Sequence, residues 1–194
     1  MRNRNSIEII LLLVRNRMCK TKNMDIMYMK FPMRYLPAQL SSRDKQKQVR
    51  MLLQSKRLYK KHRYYTRKRL PSYKNKTSKH IRNAQKIYKK QQINPSPELA
   101  KKTGCSLSAL NQIVRKGEGA YFSSGSRPNQ TAQSWGLARL ASSITAGKAA
   151  AIDYNILDKG CDHKKKAFLL ANKSRKKYKY GQSKTRKVTV ETRR

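Results

Sequence analysis

The positive charge of this chain is distributed unevenly, and that distribution limits what the chain can fold into. Residues 41–93 hold 19 Lys and Arg against one acidic residue, and residues 161–194 hold 13 against two. Residues 94–160, between them, hold eight basic and four acidic residues. Because like charges repel one another in a compact state, this layout predicts a nearly neutral folded module with basic regions on either side.

The whole chain has 194 residues and a formal net charge of +39. This length allows one domain of ordinary size with arms, and this charge favours condensation onto anything anionic. We therefore expect a non-enzymatic structural or scaffolding protein that holds a polyanion or an acidic protein surface.

The sequence does not match the catalytic motifs with which we compared it. Lys148 follows Gly147 as in a phosphate-binding P-loop, but Ala149 stands where Ser or Thr is needed. The nine carboxylates are too scattered to suggest a general acid and base. We expect no enzymatic activity, no cofactor, no metal and no small-molecule substrate.

The three cysteines, Cys19, Cys105 and Cys161, are odd in number and far apart. They form no CxxC pair, so the sequence indicates neither a zinc ribbon nor a disulfide framework. This pattern favours synthesis in a reducing, intracellular compartment.

An apolar run at residues 7–14 lies within an N-terminal arm, residues 1–40. The run is too short to span a bilayer, and Glu8 interrupts it. Arg15 and Arg17 follow where a signal peptide would have small residues. We expect a short strand or helix that docks on a partner. The docking residues are Ile7, Ile9, Ile10, Leu11, Leu12 and Leu13.

The basic region 41–93 shows signals for two helices. Residues 41–44 (SSRD) resemble a capping box that opens a helix, which is expected to fade near Tyr59. Ser78 can cap a second helix, which carries apolar residues at helical spacing up to Tyr88.

Between these helices lies the most concentrated basic stretch, residues 60–69 (KKHRYYTRKR). Tyrosines interleave with cations here, so the segment can pair with phosphates while its rings stack on bases. The alternative is a solvated loop whose tyrosines pack on the module beneath. The first interpretation is favoured.

A small helical module is predicted from about residue 94 to residue 171. Ser96 and Pro97 mark a strong helix start, and Gly104 ends that helix. Ser106 caps the next helix, which Gly117 is expected to close. This pair resembles a helix-turn-helix, but any tight helical hairpin needs the same small and apolar positions. A structural hairpin is favoured, because no Arg stands at the front of the second helix to read guanine.

A long loop, residues 117–130, is expected to follow that hairpin. Its amides and Arg127 could cradle a phosphate, although short polar side chains that satisfy the loop backbone are the favoured alternative. Helices are then expected over residues 132–145, 148–157 and 164–171.

The predicted fold is mainly α. A small helical module (about 94–171), which contains the helix-turn-helix-like hairpin, is flanked by extended basic arms. The basic C-terminal tail, residues 172–194, has strand character only at residues 187–190.

The residues expected to bind a polyanion or an acidic partner are Lys60, Lys61, Arg63, Tyr64, Tyr65, Arg67, Lys68, Arg69, Lys74, Lys76, Lys79, Arg127, Lys164, Lys165, Lys166, Arg175, Lys176 and Lys177.

Two blocks of the sequence are unusual, residues 119–131 (GAYFSSGSRPNQT) and 134–149 (SWGLARLASSITAGKA). Together with residues 60–68 (KKHRYYTRK) and 98–106 (ELAKKTGCS), they resemble a family of lysine-rich proteins encoded by large nucleocytoplasmic DNA viruses, such as the algal chloroviruses and mimiviruses. The resemblance runs from Arg34 to about residue 170. It implies a viral, virion-borne protein but supplies no activity and no site residues.

From this resemblance we expect a minor capsid protein that bridges major and other minor capsid proteins on the inner face of the shell. The expected location is the virion, after synthesis in the host cytoplasm. Genomic double-stranded DNA and the inner viral membrane surface are further candidate partners. The alternative is a genome-associated protein that condenses DNA like chromatin, and a ribosomal protein is a third possibility.

Overall fold

The computed structural model describes residues 26–182 and 184–193. These residues form a mainly helical fold with a small two-stranded sheet, as the sequence predicts. The strands are β1 (Ile26–Pro32) and β2 (Lys187–Arg193). The helices are α1 (Ser42–Tyr59), α2 (Lys79–Tyr88), α3 (Pro97–Thr103), α4 (Leu107–Ser123), α5 (Ala132–Ser143), α6 (Lys148–Ile152), α7 (Tyr154–Gly160) and α8 (Lys166–Lys177).

One compact unit of the chain comprises residues 31–188. It is wider than the predicted module, because the basic region 41–93 belongs to it. Val49 and Leu52 of α1 are buried, as are Ala84 and Tyr88 of α2. Both helices are basic around most of their circumference, yet each has one apolar stripe, which is enough to bury it against the core.

The predicted starts of α1, α2, α3 and α4 are confirmed, although Ser78 makes no side-chain capping hydrogen bond at the start of α2. The predicted capping box at residues 41–44 is only half formed, because the Asp44 carboxylate accepts from Ser72 and Ser41 N donates to Ser72 Oγ. The hydroxyl oxygens of Ser41, Ser96 and Ser106 each accept a hydrogen bond at 3.2 Å from the backbone N–H three residues further on. Gly104 adopts a positive φ of 72° at the end of α3, a conformation that glycine takes without steric cost. These signals were readable because each acts within one helical turn.

The predicted helix end at Gly117 is wrong, since α4 continues to Ser123. Gly117 and Gly136 face each other where α4 crosses α5. A Cβ added to Gly117 would stand 2.7 Å from the Cα of Gly136. The two glycines therefore allow a close helix crossing, and the loop begins about two helical turns later than predicted.

The helix predicted over residues 148–157 is divided at Asp153 into α6 and α7. Asp153 is fully buried and accepts two hydrogen bonds from Arg139, one from Nε and one from Nη2, both at 2.7 Å. The Ser143 hydroxyl and Lys116 Nζ also contact this carboxylate, at 3.2 and 2.9 Å. The chain turns here so that the carboxylate can reach Arg139 on α5.

The C-terminal region is more structured than expected. Helix α8 runs past the predicted end at Ala171 to Lys177. The predicted strand at residues 187–190 is present and extends to Arg193.

The sequence pattern predicts no disulfide, and the structure contradicts this. Cys105 and Cys161 are joined by a disulfide across a sequence separation of 56 residues. They lie opposite each other in an isolated antiparallel bridge, where Ser106 N donates to Gly160 O and Asp162 N donates to Gly104 O, both at 2.7 Å. The sequence did not indicate this pairing, because only the tertiary fold brings the two turns together.

The apolar segment proposed to dock on a partner, residues 7–14, lies outside the described residues, and its role stays a prediction. None of the helices that the structure describes is long and apolar enough to cross a membrane.

Candidate polyanion-binding surface

The basic segment, residues 60–69, begins with a reversal of the chain at the end of α1. Arg63 N donates to Leu58 O at 3.0 Å, and His62 adopts a positive φ of 55°. This arrangement resembles the helix ending in which glycine usually supplies the left-handed residue. The segment then runs without regular structure to Leu70, which is fully buried. Both of its ends are therefore fixed to the fold.

Arg67 anchors the middle of the basic segment. Its Nη1 donates to Ser55 Oγ at 3.1 Å and to the Tyr121 carbonyl oxygen at 3.0 Å, and its Nη2 donates to Ser126 Oγ at 2.7 Å. The guanidinium also lies 3.6 Å from the centroid of the Tyr121 ring, within range of a cation–π interaction. Burial lowers the pKa of Arg67, but a guanidinium remains protonated in proteins.

Replacing Arg67 with methionine is expected to lower the free energy of unfolding by about 2–3 kcal/mol, because hydrogen bonds from a charged donor are lost and their acceptors are left unpaired. Urea unfolding measures this loss. Arg69→Met is the matched control, since Arg69 is exposed in the same segment and should change stability by less than about 0.5 kcal/mol. Equal effects of the two substitutions would contradict the anchoring role.

The loop after α4 holds the basic segment through short polar side chains. Asn129 Oδ1 accepts from Leu70 N at 2.7 Å, and Asn129 Nδ2 donates to Leu70 O at 2.9 Å and to Tyr73 O at 2.8 Å. The buried Ser126 hydroxyl donates to the Arg127 carbonyl oxygen at 2.8 Å. These contacts match the favoured alternative for the loop, in which polar side chains satisfy backbone groups.

The structure places the predicted binding residues in two parts of the fold. One part is the chain from the end of α1 to the first residue of α2, together with Arg127, and the other is α8 with the residues just before it. Their side chains are exposed except those of Tyr65, Arg67 and Arg175, which are half-buried. Tyr65 packs against a buried apolar cluster, and the Arg175 guanidinium lies 4.1 Å from the ring centroid of Tyr154.

The cations of the basic segment form no ion pair with any described residue. The chain has no acidic residue between Asp44 and Glu98. Asp44 itself is engaged by Ser72, whose hydroxyl and N–H donate to it at 2.6 and 3.0 Å and lower its pKa. The ion pairs between described residues include Lys90–Glu98, Lys102–Glu98, Lys116–Asp153 and Arg139–Asp153, and also His163–Asp158 when the imidazole is protonated. The positive field of the segment is therefore available to an external anion.

An aromatic cluster of Tyr59, Tyr64 and Phe122 lies at the chain reversal. The Tyr64 ring centroid is 5.0 Å from that of Phe122 in an edge-to-face contact and 6.1 Å from that of Tyr59. Tyr64 is 70% exposed. Sequence reasoning identified Tyr64 but missed Tyr59 and Phe122, because no local pattern indicates that the ends of α1 and α4 meet.

A second basic surface lies along α2 and the residues that follow it. An open depression of about 580 Å³ is lined by Arg82, Gln85, Lys86, Lys89, Lys90 and Gln91. Sequence reasoning did not select these cations, although Arg82, Lys86 and Lys89 recur at spacings of four and three, which place them on one helical face. Lys90 is engaged by Glu98, so the exposed charge of this surface comes from the other three.

The helix-turn-helix-like pair consists of α3 and α4, and the start of α4 is partly covered. Ala109, which stands in the first turn of α4, where a recognition helix would meet a DNA groove, is buried. A Cβ added to Gly160 would stand 2.4 Å from the Ala109 Cβ. This packing favours the structural hairpin over a helix that reads bases.

No cluster of three or more His, Cys, Asp or Glu that could hold a metal ion occurs among residues 26–182 and 184–193. Cys161 directly precedes Asp162 and His163, but its sulfur is bonded to Cys105 in the disulfide and is not a free thiol.

Comparison with known proteins gives one match. A family model described as "Family of unknown function (DUF5824)" matches residues 32–165. This range contains α1 to α7, the basic segment and the loop that anchors it. No curated protein and no solved structure matches the chain. The match covers more than half of the sequence, and the chain therefore belongs to the DUF5824 family.

Proposed function

We propose that this protein is a non-catalytic structural protein that holds nucleic acid through phosphate contacts of the basic segment. One observation carries the proposal: the fold displays a strongly basic segment in a fixed shape, with no carboxylate to neutralise it among the described residues. Arg67 and Asn129 hold the backbone of that segment. Its exposed cations are Lys60, Lys61, Arg63, Lys68 and Arg69.

Phosphate groups are the favoured anions for two reasons. Neutralising phosphates releases counterions, which makes an array of cations effective on a nucleic acid backbone. The cations also stand beside an exposed tyrosine, and alternating cations and rings suit a ligand that alternates phosphates and bases. An acidic protein surface would pair with the cations but offers no regular alternation of anions and flat bases for the rings to stack on.

The resemblance to proteins of large DNA viruses suggests the nucleic acid of such a virus as the ligand. Binding through phosphates needs no base sequence, which agrees with the absence of an Arg at the start of α4. The proposed role is therefore genome-associated packing inside the virion, the chromatin-like function.

The proposal predicts steep salt dependence of binding to DNA and RNA. For duplex DNA, the logarithm of the binding constant should fall with the logarithm of salt concentration at roughly −0.9 per phosphate contacted. Replacing the five exposed cations of the basic segment with glutamine should make that slope shallower by about four to five, since each cation contributes about one. Fluorescence anisotropy at several salt concentrations measures both slopes.

A matched control removes five charges at exposed positions outside the segment. Its substitutions are Arg43→Gln, Lys47→Gln, Lys101→Gln, Arg115→Gln and Lys159→Gln, all at exposed side chains. This variant has the same net charge as the segment variant and should keep a steeper slope. Equal slopes for the two variants, or weak and shallow binding of the parent, would count against the proposal.

Bridging of capsid proteins is the second candidate, and one observation on α8 favours it. Leu169 is 50% exposed and lies at helical spacing from the exposed cations Lys166 and Lys173. An apolar side chain among cations suits an acidic protein surface with an apolar pocket. Stripping of virions separates the two candidates, because a capsid protein stays with the shell and a genome-associated protein leaves with the DNA.

A further inference from the structure

We infer that the aromatic cluster of Tyr59, Tyr64 and Phe122 is a stacking site for unpaired bases, so that the basic segment also binds single-stranded stretches of nucleic acid. This inference rests on the proposed function, in which the neighbouring cations contact phosphates. It goes further by assigning a site and a class of nucleic acid.

Tyr64 is exposed to a degree that the fold of the isolated chain does not require. Its neighbour Tyr65 packs against the buried cluster of Leu40, Met51 and Leu70, so the fold already uses one tyrosine of the pair for its core. Tyr64 contacts Tyr59 and Phe122 instead and remains 70% exposed. A large aromatic side chain with that exposure gains little from burial in the isolated chain and is free to receive a flat ligand.

Contacts with the fold hold the aromatic cluster in place. Tyr59 and Phe122 are half-buried, with ring planes within 7° of parallel. Phe122 also packs edge-on against Tyr121 at 4.9 Å, and its carbonyl oxygen accepts from Ser55 Oγ at 3.0 Å. Tyr64 rests on this support through edge-to-face contact, the geometry that aromatic pairs prefer. A fixed ring loses less conformational entropy when a base stacks on it than a mobile ring would.

Cations flank the aromatic cluster along the chain. Lys60 and Lys61 follow Tyr59 directly, and Arg63 precedes Tyr64. All three cations are exposed and form no ion pair with a described residue. These cations lie one to four residues from Tyr64 along the chain, where consecutive Cα atoms are about 3.8 Å apart. They can therefore contact the phosphates on either side of a base stacked on Tyr64.

The class of nucleic acid follows from the geometry of bases. In a duplex, the base faces are stacked on each other, and a protein ring can reach them only at ends or by unstacking. In a single strand, the faces are accessible, and stacking on an aromatic side chain contributes about 1–3 kcal/mol per base. An exposed ring beside cations is therefore of most use on a single strand.

The test compares a labelled single-stranded oligonucleotide with an abasic strand of the same length, so that the number of phosphates is constant and only the bases differ. For the full chain at one salt concentration, we expect binding about 5- to 150-fold tighter to the strand with bases. Tyr64→Ala should reduce that preference at least several-fold, and Tyr64→Phe should keep it. Tyr64→Leu retains apolar volume and replaces the alanine variant if a melting curve shows that variant to be unstable.

Tyr28→Ala is the matched control, because Tyr28 is 71% exposed and lies outside the cluster; it should leave the preference unchanged. Parallel arms with RNA and DNA strands distinguish the two possible sources of unpaired bases. Equal binding of the normal and abasic strands, or equal effects of Tyr64→Ala and Tyr28→Ala, would overturn the stacking site. If binding to both strands then remains steeply salt-dependent, the proposed function still stands. Failure to bind either strand would overturn both.

Discussion

Replacing Asp153 with alanine is expected to lower the free energy of unfolding by about 3–5 kcal/mol, the cost of breaking a buried ion pair. Asp153 has no solvent exposure, and Arg139, which donates to it through both Nε and Nη2, is 17% exposed. Removing the carboxylate leaves a largely desolvated guanidinium without a counter-charge and leaves the Ser143 hydroxyl without its acceptor. The break between α6 and α7 would also lose the contact that fixes it.

Urea unfolding of Asp153→Ala and Asp158→Ala tests this prediction. Asp158 is exposed on α7, where it pairs with His163 at 3.4 Å, and surface pairs of this kind contribute about 0–1 kcal/mol. Asp153→Asn preserves the volume and should still destabilise strongly, because it removes the charge. If Asp153→Ala is no worse than Asp158→Ala, the buried network does not stabilise the fold as described.

The disulfide should give the second large effect. Replacing both Cys105 and Cys161 with serine is expected to lower the free energy of unfolding by about 4 kcal/mol, since the crosslink closes a loop of 56 residues in the unfolded chain. The bridged turns connect the hairpin of α3 and α4 to the junction of α7 and α8. Their loosening should expose Ala109, which packs against Gly160.

Melting curves with and without a reductant measure this contribution. The parent should melt at a lower temperature in reductant, and the double serine variant should be insensitive to it. Cys19→Ser is the control and should respond to reductant as the parent does. Thiol titration of the unreduced, denatured chain should find two of the three cysteines blocked. Three reactive thiols would contradict the disulfide.

The features that the sequence predicts well are local. Serine caps and the glycine at the end of α3 act within one turn of a helix, so their positions are legible in a single stretch of sequence. The apolar stripes of α1 and α2 likewise predict buried faces from spacing alone. Charge composition alone was enough to predict that the cations of the basic segment are exposed, because charges of one sign without partners remain at the surface.

The features that the sequence did not predict depend on distant partners. Gly117 looks like a helix end until Gly136 is placed against it. Sequence spacing placed Asp153 within one continuous helix, because its contact with Arg139 on α5 is visible only in the fold. Cys105 and Cys161 look unpaired until two turns meet. The aromatic cluster follows the same rule, since it needs the ends of two helices to come together.

The most direct test of the central claim, that the basic segment contacts the nucleic acid, is lysine footprinting. The full chain is acetylated briefly with and without bound nucleic acid, and the modified lysines are identified by mass spectrometry. We predict that Lys60, Lys61 and Lys68 become protected on binding, while Lys101 and Lys159 keep their reactivity. Unchanged reactivity of the three segment lysines in a saturated complex would contradict the account.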